Sequence, residues 1–438
     1  MNTRYLLRGL WPLLLVLLLS CGGGGSAVNS AGSGSATANG GPALNSAAVT
    51  GTGASDTGGS AVGSASTAGD TGSTTTASNG EGSGVGSGGT GVSTADASTS
   101  VGAVDGMGSI IVNGLRYNVD KATISLSDAT ELQIGMTAAV TGPVDASFAN
   151  GVATQVTSAA DLRGPVTSVD AASGSFVVMG TKVNIDEATV WADLPGMAGV
   201  VVGANVQVWG LPAGPGVLSA TRVQLQVSSA APIVTGIVQQ LDPASGTFML
   251  GSLTIAYGSG NLSNGTIVRV RADGQSAPGL LTATQVEAWY PISKVNGLAV
   301  QVEGMITNYA SLSGFQVLGQ TIDASSAAVT GGLSSKINND VKVRVGGTLV
   351  NGVLRASELK ILHVPGAGAL PSYTLIGSVG NYVSPTSFRV RGQLVDASGP
   401  GVVFVNGTLA KLANSVNVTV VGTRVVNGAL IADQVSFN

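Results

Sequence analysis

The chain has 438 residues, of which 10% are charged and 4% aromatic, with 66 glycines and a formal net charge of −4. It has no basic run or stripe, which excludes the clustered Lys and Arg footprint that a nucleic-acid backbone demands. A single cysteine excludes an intrachain disulfide, so small folded units must be held by packed sheets and by contacts between neighbours.

At the N-terminus, Arg4 and Arg8 precede an apolar run from Leu10 to Leu19, interrupted only by Pro12. The run is shorter than the roughly 20 apolar residues of a spanning helix. Its proportions predict a signal peptide over residues 1–20. The stretch Leu18-Leu19-Ser20-Cys21 resembles the bacterial lipobox, with an aliphatic residue, a small residue and then cysteine. The resemblance implies that the Cys21 thiol carries diacylglycerol as a thioether and that cleavage before it frees an amine for further acylation. Two or three acyl chains anchor a protein stably where one does not. Gly22 follows the cysteine where aspartate would signal retention, so the resemblance implies an outer-membrane lipoprotein. The expected partner is therefore the membrane, reached through the lipid.

Residues 21–104 are nearly all Gly, Ser, Thr, Ala and Asn, without aromatics or apolar periodicity. Such a segment buries too little surface to offset its ordering entropy. It reads as a disordered tether with a root-mean-square reach of about 50 Å.

Beyond the tether the sequence repeats with a period of roughly 70 residues. Gly164-Pro165-Val166, Gly236-Ile237-Val238, Gly304-Met305-Ile306 and Gly377-Ser378-Val379 open four copies. Each is followed by a phenylalanine strand closing on glycine, at Phe176–Gly180, Phe248–Gly251, Phe315–Gly319 and Phe388–Gly392. An alternating strand comes next, as in Val341-Lys342-Val343-Arg344-Val345, and then a short turn and a last strand. An earlier, diverged copy carries Gly108-Ser109-Ile110-Ile111-Val112-Asn113-Gly114 and Ile134-Gly135-Met136. The repeats are placed at 105–160, 162–228, 232–291, 299–365 and 373–438. Period-two alternation marks strands, and no stretch sustains a helical period. Asn-Gly pairs at Asn113, Asn150, Asn351 and Asn427 suit tight hairpins, because both residues accept positive φ.

Five or six short strands per copy predict an all-β chain, a tandem array of about five small β-barrel (OB-like) domains, since closure removes exposed edges. A flat sandwich per repeat, or one continuous β-solenoid, is the second choice. The strands are too short, and aromatics too scarce, for a barrel of the outer-membrane kind.

These elements resemble the bacterial domain-of-unknown-function family 5666 (DUF5666), whose members combine a Gly-Ser-aliphatic-Asn-Gly stretch, a Gly-Met element and a closing Gly-x-Ala strand. Asp105 to Ala153 carries the likeness most clearly. The resemblance implies repeated β-domains in envelope lipoproteins and brings no activity with it.

Little in the chain suggests chemistry. His363 is the only histidine and stands without a triad or nucleophile-elbow motif, so it reads as a linker or surface residue. With one His and a lipidated Cys there is no set of zinc ligands. Asp186, Glu187, Asp193, Asp323 and Asp396 lack the dense oxygen spacing of a calcium loop. No metal or cofactor is expected. The basic pairs Arg269 with Arg271, Lys342 with Arg344, and Arg389 with Arg391 each share a strand face. With Trp209 and Trp289 they form a candidate binding face for an anionic glycan or head group; otherwise they are a solvated, edge-blunting face. Trp191, Trp209, Trp289 and Tyr290 read mainly as packing residues. The expectation is a non-enzymatic envelope lipoprotein, a scaffold, spacer or binding module. A receptor-like binder of glycan or anionic polymer is the alternative, and a hydrolase hidden in one repeat comes third.

Overall fold

The computed structural model describes residues 98–438, apart from 227–229, 366 and 369. The signal peptide, Cys21 and most of the tether lie outside the described residues. What is described is all-β, with three short 3-10 turns as the helical content. Among the described residues no helix is long and apolar enough to cross a membrane.

The glycine that ends each phenylalanine strand is half of a tight turn. Met179-Gly180, Leu318-Gly319 and Arg391-Gly392 all have positive φ at both positions, as do Asn113-Gly114, Asn351-Gly352 and Asn427-Gly428. Two consecutive left-handed residues define the turn whose twist matches that of flanking antiparallel strands. Asn150 departs from this expectation. It opens the strand Asn150–Val152, and the preceding turn is closed by the Asp145 carboxylate, which accepts the N–H groups of Ala149 and Asn150 at 2.8 and 3.0 Å.

Within a repeat the strands pair in a closed circuit. In the second repeat Leu162–Asp170 pairs antiparallel with Ser175–Val178 on one side and with Asn205–Gly214 on the other. Ser175–Val178 continues to Thr181–Asn184, which lies parallel to Val217–Leu225. That strand returns antiparallel to Asn205–Gly214. The fourth and fifth repeats follow the same course. In the first and third, the last strand is split, at Asn150–Val152 with Gln155–Ser158 and at Leu280–Thr282 with Gln285–Ala288.

The repeats are not separate OB-like barrel domains; they are stacked coils of a β-solenoid, whose described strands fall into three sheets. Ser98–Val101 runs parallel to Ala299–Val302, and Gly106–Met107 parallel to Thr374–Leu375. Ile233–Val234 pairs antiparallel with Leu162–Arg163. The cores merge in the same way. One apolar cluster runs from Leu162 through Phe176 to Phe248 and Leu281, spanning two repeats. The cluster of the first repeat takes in Trp209, Ile233 and Ala299 from three others.

The physical reason is burial on both faces of the opening strands. Ser98–Met107 is buried at eight of its ten positions, the signature of a strand covered on two sides. This strand also corrects the tether boundary, since it begins at Ser98, ahead of the expected start of the first repeat at residue 105. Its Ser-Thr-Ser-Val-Gly sequence has the composition of the tether. Small side chains are what allow the strand to be enclosed between Thr137–Thr141 and the fourth repeat.

Candidate functional site

The stacking determines where the few charged side chains go. Arg269 lies in Ile267–Arg271, with Val268 and Val270 turned into its own repeat's core. The opposite face, expected to be solvated, is pressed against other repeats. Arg269 is only 3% exposed. Its Nη2 donates to Asp161 Oδ1 at 3.0 Å, its Nε to the Ala160 carbonyl at 3.0 Å, and its guanidinium lies 5.0 Å from the Tyr290 ring centre. Asp161 also accepts the Trp289 indole N–H at 2.6 Å, the Gly210 N–H at 2.8 Å and the Thr137 hydroxyl at 2.7 Å. Burial pushes the Asp161 pKa up and sets its net direction, against the four donors and the Arg269 charge that favour the ionised form. Burial alone would lower the pKa of Arg269, but the Asp161 charge outweighs it and the net direction is upward.

Arg271 is engaged in the same way. Its guanidinium grips Asp128 at 3.0 and 2.7 Å, and Arg163 donates to the same carboxylate at 2.6 Å. Gln207 closes the group through the Asp128 carbonyl at 3.0 Å. Burial opposes ionisation of Asp128, yet the hydrogen bonds from Arg271 and Arg163 hold its pKa below the ordinary carboxylate range. Each of these two networks joins the first, second and third repeats.

Lys342 and Arg344 form a third network. Lys342 Nζ lies 3.6 Å from Asp186 and 3.5 Å from Glu303; Arg344 lies 3.0 Å from Asp105 and 3.6 Å from Glu303. Burial opposes the charge on Lys342, but Asp186 and Glu303 hold its pKa up. Asp105 carries the cost of three carboxylates facing two cations. Burial, with Glu303 adding repulsion against the pull of Arg344, pushes its pKa up to about 6.

Of the residues expected on an exposed binding face, Arg269, Lys342, Trp209 and Trp289 are buried and Arg271 and Arg344 are half-buried between repeats. Trp209 is fully buried in the first repeat's core, and Trp289 packs edge-on to Tyr290 at 4.7 Å. Reading the alternation as one core face and one solvent face misplaced the basic side chains; Trp209 and Trp289 are packing residues, the main expectation for them. The signal that pointed inward was composition. In a chain so poor in charge, paired basic residues recurring at equivalent strand positions, with Asp128 and Asp161 just outside the core strands and Glu303 within one, mark matched partners.

The third network borders a cavity of about 410 Å³, which is the candidate site. Asp105, Glu303, Lys342 and Arg344 line it together with Asp186, Tyr373 and the rim residues Glu187 and His363. His363, expected in a linker, belongs to the strand Val353–Val364, pairs in register with Lys342, and its Nδ1 lies 3.3 Å from Glu187 Oε2. Tyr373 donates its hydroxyl to the Ala188 carbonyl, and burial raises its pKa well above the ordinary value. Thr221 Oγ1, on the same wall, has no hydrogen-bond partner among the described residues.

The walls come from the first, second, fourth and fifth repeats, so the cavity exists only because the coils stack. Its carboxylates face bound cations instead of standing paired for acid–base work. Among the described residues, no group of three or more His, Cys, Asp or Glu side chains gathers to hold a metal. Asp323 and Asp396 serve local turns, accepting the N–H groups of Ser325 and Ser398, with Asp323 also paired to Arg355, while Asp193 accepts the N–H of Leu225, 32 residues along the chain.

The fold and these interlocks define the class, an all-β repeat protein whose coils are joined by buried ion networks. The sequence model of a family described as Domain of unknown function (DUF5666) matches residues 163–224 and 303–360. Those stretches are the second and fourth repeats, whereas the resemblance read from the sequence was clearest in the first. No curated protein matches the chain.

Proposed function

We propose that this protein is a non-enzymatic lipoprotein of the bacterial cell envelope. Its stacked repeats act as a rigid scaffold or spacer, held off the outer membrane by an acylated Cys21 and the tether after it. The observation that supports the scaffold reading is the matching of buried charge across repeats. Asp128 binds Arg163 and Arg271, Asp161 lies against Arg269, and Lys342 and Arg344 reach Asp186 and Asp105, each pair joining different repeats. Buried networks of this kind fix one arrangement of their parts. The Leu18-Leu19-Ser20-Cys21 pattern supports the anchor.

The test of the anchor is metabolic labelling with a palmitate analogue, followed by fractionation. Wild type is expected to incorporate label and sediment with the membrane, and Cys21→Ser to lose both properties. A labelled, membrane-bound Cys21→Ser protein would overturn the anchor. A binding role is the second reading, favoured by the cavity bordered by Lys342 and Arg344.

A further inference from the structure

Arg163, Arg269 and Lys342 are buried cations, and each has a carboxylate within 4 Å. Arg222 is equally buried, at 5% exposed, yet among the described residues it makes no ion pair. Its Nη1 donates to the Ile134 carbonyl at 2.9 Å and its Nη2 to the Gln133 side-chain carbonyl, while its Nε has no partner. Burial lowers the Arg222 pKa to about 10, outweighing the pull of Asp193, which acts on it electrostatically without an ion pair; a buried cation so incompletely compensated is costly.

Arg222 lines a cleft of about 230 Å³ where the first, second and fifth repeats meet. Arg389 and Arg391 stand on the opposite wall, both exposed. Each gives one recorded hydrogen bond to backbone, to the Gly392 and Ile376 carbonyls respectively, and neither has a carboxylate partner among the described residues. The one acid in the lining is Glu131, placed beside the Arg391-Gly392 turn, where a Cβ on Gly392 would come within 3.7 Å of its Oε2. Three guanidinium groups against one carboxylate give the cleft a formal charge of +2 in a chain whose net charge is −4. Amide groups of Gln133, Gln393 and Asn427 complete a polar lining. The volume falls below the roughly 300 Å³ at which pockets enclose drug-sized ligands, so the cleft fits one small group.

We propose that this cleft binds an oxyanion, a phosphate or carboxylate group, held by the forked N–H donors of Arg389 and Arg391 in the field of Arg222. Planar guanidinium donors match these groups by bidentate hydrogen bonding. The site does not depend on the lipid anchor or on the scaffold role, and its test reads only binding.

The full chain is titrated calorimetrically at low salt with glucose 6-phosphate, glucuronate and neutral glucose. Both anions are expected to bind, to weaken as salt rises, and to weaken at least tenfold in Arg389→Gln/Arg391→Gln. Both substitutions are at exposed positions, so the fold is retained, with an unchanged melting curve as the check. Glu131→Gln removes the only opposing charge and is expected to tighten binding several-fold. Glucose is expected not to bind. A tighter fit for glucose 6-phosphate assigns the phosphate class, and a tighter fit for glucuronate the carboxylate class. Absence of binding by either anion at millimolar concentration, or wild-type affinity in the double variant, would overturn the proposal.

Discussion

Asp105 shows how sparingly this chain uses charge and what that implies for its response to pH. Half-buried between Arg344 and the Gly114 N–H, its carboxyl is pushed up to about 6 in the folded protein, against an unfolded value near 4. The folded state thus holds a proton that the unfolded chain has released. The stability that this group contributes is fully present below about pH 4 and is lost as pH rises through about 6. Asp128, Asp145, Asp170, Asp242 and Asp323 shift the other way, so their contribution is present above the unfolded carboxylate range and lost as pH falls below it. The two effects occupy different windows. Denaturation midpoints measured from pH 4 to 7 should fall with pH in wild type, and Asp105→Asn should flatten that slope while leaving the acid limb. An unchanged slope in the variant would mean that Asp105 is not the titrating group.

Among the elements, strands and turns were the legible part. The phenylalanines of the second strands, Phe176, Phe248, Phe315 and Phe388, are all buried, as alternation and the recurring Phe predicted, and three of the four Asn-Gly pairs form the expected turns. What alternation could not show is a strand with two buried faces. A polar residue between valines reads as solvent-facing whether water or another repeat covers it, which is why Arg269 and Lys342 were misplaced. Ser98–Ala103 was missed for the complementary reason, because small residues chosen for close approach look like linker. Gly135 shows the same constraint at one position. It has φ +83°, and a Cβ there would meet the Thr221 carbonyl and the Val190 side chain at 2.7 Å, both in the next repeat. Gly352 has φ +79° with open space around it. Gly352→Ala should therefore cost about 1 kcal/mol, from backbone strain alone. Gly135→Ala should cost on the order of 3 kcal/mol, because strain and overpacking combine. Chemical denaturation of both variants checks the contrast, and equal losses would mean that the approach of the two repeats at Gly135 is not tight.

At the scale of the whole molecule, the period of the sequence marks repetition along the chain but not the mutual arrangement of the repeats. Period is a property of neighbours along the chain, whereas the contacts that unite the coils join distant segments. Ser98–Val101 pairs with Ala299–Val302, and Asp161 receives Trp289 and Arg269. An array of independent domains would lose one member at a time. A structure locked by shared buried carboxylates opens in larger units, because removing one partner leaves the other charges unpaired, at a cost on the order of 3–5 kcal/mol.

The most direct measurement is hydrogen exchange by mass spectrometry on the full chain, comparing wild type with Asp161→Asn. The change keeps the size of the side chain but removes the charge that Arg269 faces and replaces an acceptor with a donor. Loss of protection is predicted together in the first, second and third repeats, around Thr137, Gly210 and Trp289, with the outer strands of the fifth repeat little changed. Loss confined to the segment around residue 161, or no loss at all, would contradict the claim that buried ion networks bind these repeats into one body.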